Sequence, residues 1–133
     1  MVRELRLVVT APDYEEALAF YRDVLGLPVK AVFESPDGHV ALLEAGRATL
    51  ELMDDANAAF VDEVEVGRRV AGHIRVALEV DDAAAATASA AQARARVVAP
   101  PTRTPWDSLN ARLEAPGGLQ LTLFEELAGE ASA

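Results

Sequence analysis

Cysteine is absent from the 133 residues, which excludes disulfides and thiolate chemistry and makes a reducing, cytoplasmic setting the expectation. No apolar run approaches the ~18 residues that a membrane span needs, so no membrane partner is expected. The opening MVREL carries charge and then a strand pattern, unlike a secretory leader. Positive charge is scarce: 12 Lys and Arg stand against 22 Asp and Glu, giving a formal charge of −10. Such a surface repels phosphates, so nucleic acid is not an expected partner. There is no glycine-rich phosphate loop either, since Pro116-Gly117-Gly118 reads as a hairpin turn, and no Ser-His-Asp order is suggested. What the chain does have is core material. Hydrophobic residues make up 51% of a length that suits one domain, or two small modules around one core.

The sequence repeats itself. LRLVVTAPD begins at Leu5 and IRVALEVDD begins at Ile74, 69 residues later. Each has apolar residues at its first, third and fifth positions, arginine at its second and aspartate at its ninth. Leu43-Glu44-Ala45 is echoed by Leu113-Glu114-Ala115, with small drifts that belong in turns. A chain that repeats itself at half its length reads as two copies of one module.

Each copy follows the same order of elements. Residues 5–10 alternate as a strand, with Leu5, Leu7 and Val9 on one face. Asp13 and Glu16 form a capping-box pattern, and an amphipathic helix with an Ala17, Phe20, Tyr21, Val24 and Leu25 stripe ends at Gly26. Three strands follow, over residues 27–33, 39–44 and 48–53. An acidic linker, 54–72, holds a short helix near residues 57–64. The second copy has a strand over 73–80, an alanine-rich helix from Ala83 to about Arg94, and a short strand at Val97-Val98 broken by Pro100-Pro101. Strands over 108–114 and 119–125 complete it. The expected division is thus a βαβββ module at 1–53, a linker at 54–72, a second βαβββ module at 73–126 and a tail at 127–133.

EALAFYRDVLGL after the first strand and APGGLQLTLFE at the end make the chain resemble the vicinal oxygen chelate superfamily. That group holds glyoxalases, ring-cleaving dioxygenases, fosfomycin-modifying enzymes and bleomycin-resistance proteins. The resemblance implies an α+β fold in which two tandem βαβββ modules form a cup-shaped mixed sheet, and a homodimer. Metal-using members draw one ligand from the first and last strand of each module. Carried onto this sequence, those positions are Arg6, Glu51, Arg75 and Thr122. Of these, only Glu51 is a competent ligand, because arginine has no lone pair to give and threonine is a poor donor at neutral pH. No metal or other cofactor is therefore expected, although His73 shares a strand face with Arg75 and would make half a site with Glu51.

By the same alternation Arg6, Glu51 and Arg75 face the cup, either as a buried ion cluster or as an anchor for a polar or anionic ligand group. Val8, Phe33, Leu42 and Met53 from the first module line it with them. His73, Asn110, Arg112, Thr122 and Phe124 do so from the second. Trp106, the one tryptophan, stands in a proline-rich loop where no periodicity requires it, placed either to stack on a flat ligand or to cover the sheet. The expected function is binding of a small organic molecule, in the manner of the metal-free bleomycin-resistance branch, by sequestering an antibiotic or natural product. The alternatives are a metal-dependent lyase or dioxygenase, or a metal-free isomerase with Glu51 as base. Glu51 between two arginines would be a weak base, which disfavours the last.

Overall fold

A computed structural model describes residues 6–9, 11–36, 38–48, 51 and 54–127. Helix α1 (Tyr14–Ala19) continues into a π-helical turn at Phe20–Val24. Strands β1 (Val29–Ser35) and β2 (Gly38–Leu43) follow, then helix α2 (Asp55–Glu65). The second half holds β3 (Val76–Glu79), α3 (Ala83–Gln92), β4 (Arg96–Arg103), β5 (Ser108–Glu114) and β6 (Gln120–Glu126). Among the described residues no helix is long and apolar enough to cross a membrane.

The three α-helices start where the sequence supplies an aspartate. Asp13, Asp54 and Asp82 each accept a hydrogen bond from the amide three residues on, at 3.0, 2.8 and 3.0 Å. The first helix ends at Gly26, whose φ of 74° is the left-handed conformation that glycine adopts without strain. Glu125 is not the solvated strand end its position suggests. Its Oε1 accepts from the Ala83 amide at 3.0 Å, so the last strand supplies a second cap to α3.

β3, β6, β5 and β4 form one mixed sheet in that order, with β3 and β6 parallel and the other pairs antiparallel. β1 and β2 make a separate hairpin. Ala111, Leu113, Leu121 and Leu123 point to one face of the large sheet, where they are fully buried with Ala90 of α3. Small side chains let α3 lie close on that face. β4 runs unbroken through Pro100 and Pro101, against the expectation of a short strand. It is the edge strand, and the prolines fall where its register against β5 shifts, so their missing N–H groups leave no rung empty.

The two copies of the repeat fold unequally. Arg6–Val9 has no regular structure, although a strand is expected there. Of the expected strand at 48–53 only Ala48 and Glu51 are described, neither in a strand; the other four lie outside the described residues, as do Leu5 and Thr10. The destination of the first helix's stripe accounts for the difference. Phe20 is buried in the core of the large sheet, and Tyr21 and Leu25 pack on the same cluster. The stripe therefore covers the second half of the chain. Leu7 and Val9, whose counterparts in the second copy lie under α3, remain 45% and 40% exposed. A Phe20→Ala variant should lose about 3–5 kcal/mol in urea denaturation. If the first helix served only its own half, the cooperative transition of the large sheet would keep its midpoint.

Candidate ligand-binding cleft

The face of the large sheet opposite α3 is polar. Strand alternation puts Asn110 and Arg112 of β5 there, beside Gln120, Thr122 and Phe124 of β6. Burying such a face requires partners, and α2 supplies them. Asp62 and Glu65 stand three residues apart, on one helix face with Val61, and all three are buried.

Arg112, with 0% exposure, joins the layers. Its Nη1 donates to Asp62 Oδ1 at 2.7 Å and to Gln120 Oε1 at 2.8 Å; its Nη2 donates to Glu65 Oε1 at 2.7 Å. The remaining carboxylate oxygens are also occupied. Asp62 Oδ2 accepts from Arg69 Nη1 and from the amides of Val70 and Ala71, each at 2.8 Å. Glu65 Oε2 accepts from Asn110 Nδ2 at 2.7 Å. Burial alone would push the Asp62 carboxyl up, but these donors together hold it well below the usual carboxylate range. Among the described residues the network leaves Asn110 Oδ1 and Arg112 Nε without partners.

Beside this network α2 and the sheet leave a cleft of about 430 Å³. Asn57, Phe60, Val61 and Glu65 form its helical wall. Arg75, Ala77, Ser108, Asn110, Thr122, Phe124 and Glu126 form the sheet side, and Glu51 and Trp106 stand at it too. Trp106 belongs to a tight loop. Asp107, at φ 60°, donates its amide to Thr104 O at 3.1 Å, and Thr104 Oγ1 lies 2.9 Å from Ser108 Oγ. The loop presents the indole, 44% exposed, at 6.3 Å from the Phe60 ring. Arg75 is half-buried, and its Nη1 donates to Thr122 Oγ1 at 2.7 Å. Desolvation, and then the nearby charge of Arg112, lower its pKa; Glu65, Glu51 and Asp62 oppose this.

Six residues expected at the cup therefore meet at this cleft: Glu51, Arg75, Trp106, Asn110, Thr122 and Phe124. Arg112 lies behind it, committed to α2. Arg6, Val8, Phe33 and His73 are exposed and outside the lining, as is the half-buried Leu42, and Met53 lies outside the described residues. Among the described residues the buried ion cluster is that of Arg112, Asp62 and Glu65, and Arg6 stands outside the cleft that Glu51 and Arg75 share. Sequence reading missed Asp62 and Glu65 by treating 54–72 as an acidic linker. The signal was present in FVDEVEV, where carboxylates alternate with valines at helical spacing.

The four positions that the resemblance assigns to metal ligands carry Arg6, Glu51, Arg75 and Thr122. Arg75 is a hydrogen-bond donor occupied with Thr122, and Thr122 is an acceptor occupied with Arg75. With Arg6 the third position, only Glu51 could ligate, so the set does not fit a divalent cation. Among the described residues no group of three or more His, Asp or Glu is gathered for one.

The family model for the Glyoxalase/Bleomycin resistance protein/Dioxygenase superfamily matches residues 5–123. The chain belongs to that superfamily. Solved structures agree on the fold of this superfamily member. TnmS3, an antibiotic binding protein from Streptomyces sp. CB03234, is 22% identical with a TM-score of 0.61, over 94% of this chain and 97% of that one. A protein of unknown function from Agrobacterium tumefaciens str. C58 is 24% identical with a TM-score of 0.58, over 95% and 98%. A glyoxalase-related enzyme from Fulvimarina pelagi is 15% identical with a TM-score of 0.57, over 93% and 88%. No curated protein matches the chain in sequence.

Removing Arg112 tests the network directly. Arg112→Ala leaves two buried carboxylates short of a donor and should cost about 3–5 kcal/mol in denaturant unfolding. A loss under about 1 kcal/mol, the range of an exposed pair, would mean that α2 is held by other contacts.

Proposed function

We propose that this superfamily member binds a small, flat organic molecule in the cleft between α2 and the large sheet, without a metal ion. Sequestration of an antibiotic or natural product in the cytoplasm is the biological role this implies. The observation that carries the reading is the hydrogen-bonded Arg75–Thr122 pair, which fills two of the four ligand positions, beside an aromatic wall of Phe60, Trp106 and Phe124. A cleft of about 430 Å³ lies in the range of small-molecule sites. TnmS3 shares the fold and binds an antibiotic; at its low identity it supports the capacity of the fold rather than a particular ligand.

The proposal includes the division into modules at 1–53 and 73–126 joined by 54–72, with the joining segment recruited as one wall of the site. It also includes a homodimer, supported by the apolar residues left outside the core. Val8 is 85% exposed and Phe33 60%. Sedimentation equilibrium at micromolar concentration should give twice the monomer mass, and a monomer there would remove the dimer from the reading.

Binding can be followed at one atom pair, because one indole N–H cross-peak reports Trp106 in a ¹H–¹⁵N spectrum. Titration with neutral 2-naphthamide should shift that peak saturably, with the same affinity in EDTA as with Zn, Ni, Mn or Fe salts added. Saturable binding that appears only with one of those metals would overturn the metal-free assignment. No shift with any planar aromatic probe would overturn the ligand-binding assignment itself.

A further inference from the structure

Among the described residues Arg75 has no ion-pair partner and makes one hydrogen bond. Its guanidinium is half-buried and lines the cleft. Its one hydrogen bond goes to a neutral hydroxyl, Thr122 Oγ1. A guanidinium has five N–H donors, and one is used. Of the three carboxylates whose field reaches it, two are engaged elsewhere. Both oxygens of Glu65 are taken by Arg112 and Asn110, and those of Asp62 by Arg112, Arg69 and two amides. The third, Glu51, lies along the same cleft and is exposed, and among the described residues no ion pair joins it to Arg75. Arg112 is the second guanidinium near it, and it forms ion pairs with both Asp62 and Glu65.

Charges removed from water are ordinarily paired, because desolvation is otherwise uncompensated. An arginine cannot escape by losing its proton. A half-buried, unpaired arginine at the wall of an aromatic cleft is therefore an anion receptor. Resting on the ligand-binding reading above, we infer that the cleft takes an aromatic molecule bearing an anionic oxygen group, such as a carboxylate, which pairs with the free N–H groups of Arg75. The rings Phe60, Trp106 and Phe124 receive the flat part.

The net charge makes the inference discriminating. At −10 the molecule as a whole repels anions, so a preference for an anion over its neutral isostere has to come from a local cation. The matched pair is 2-naphthoate and 2-naphthamide, measured by isothermal titration calorimetry. Wild-type protein should bind the carboxylate about tenfold more tightly, the ratio expected of one charge-assisted hydrogen bond. Arg75→Met should bring the ratio to about one or below it, since the remaining field is repulsive. Arg75→Lys should keep part of the preference, as a charge without the planar fork. Equal binding of the two probes by the wild type, or a preference that survives in Arg75→Met, overturns the inference and leaves the aromatic-binding reading standing. If the wild type binds neither probe, both readings fall. The wild-type ratio decides the matter even if Arg75→Met does not fold.

Discussion

Arg112 is the residue on which the arrangement depends. Its guanidinium is sealed between a helix and a sheet whose contacting faces both carry buried polar groups. Taking a carboxylate from water is costly, and two are taken here. The interior repays this only because each oxygen receives a donor. The consequences spread outward from that pairing. Asp62 gathers Arg69, Val70 and Ala71, fixing the turn after α2. Glu65 holds the Asn110 amide, and the Gln120 amide reaches Val70 O at 3.2 Å. The wall of the cleft is therefore electrostatic in origin, although its lining is partly aromatic.

Much of the fold was legible in the sequence. Alternation located β5 and the capping pattern located the Asp13 cap, because period and capping are local properties. The repeat identified the second copy's elements in order. What could not be read was which core each apolar stripe would join. Phe20 fits the core of the large sheet as well as it would fit one of its own, and nothing local distinguishes the two. The same limit applies to the site. Alternation brought Arg75, Asn110, Thr122 and Phe124 to one face because that face belongs to one sheet. Residues assigned from the other half, such as Val8 and Phe33, depended on a second wall that α2 supplies instead.

Of the four positions at which metal-using relatives would place ligands, three, Glu51, Arg75 and Thr122, meet at the cleft, and Arg6 stands outside it. Arg75 and Thr122 form a donor–acceptor pair where two metal donors would stand. The pair needs no ion to hold it together, and it places a fixed positive charge near the place a cation would have occupied.

Pro100 and Pro101 have a further consequence for how this molecule meets others. They sit on the outer strand of the large sheet, where a chain from another molecule could add itself rung by rung. Two adjacent residues without N–H groups interrupt any such ladder. At the opposite border β3 offers only four residues, Val76–Glu79, too few for a long pairing. The sheet is thereby closed to growth at both borders without being closed into a barrel. Extended fibrils built from this sheet are disfavoured by two rings that cannot donate.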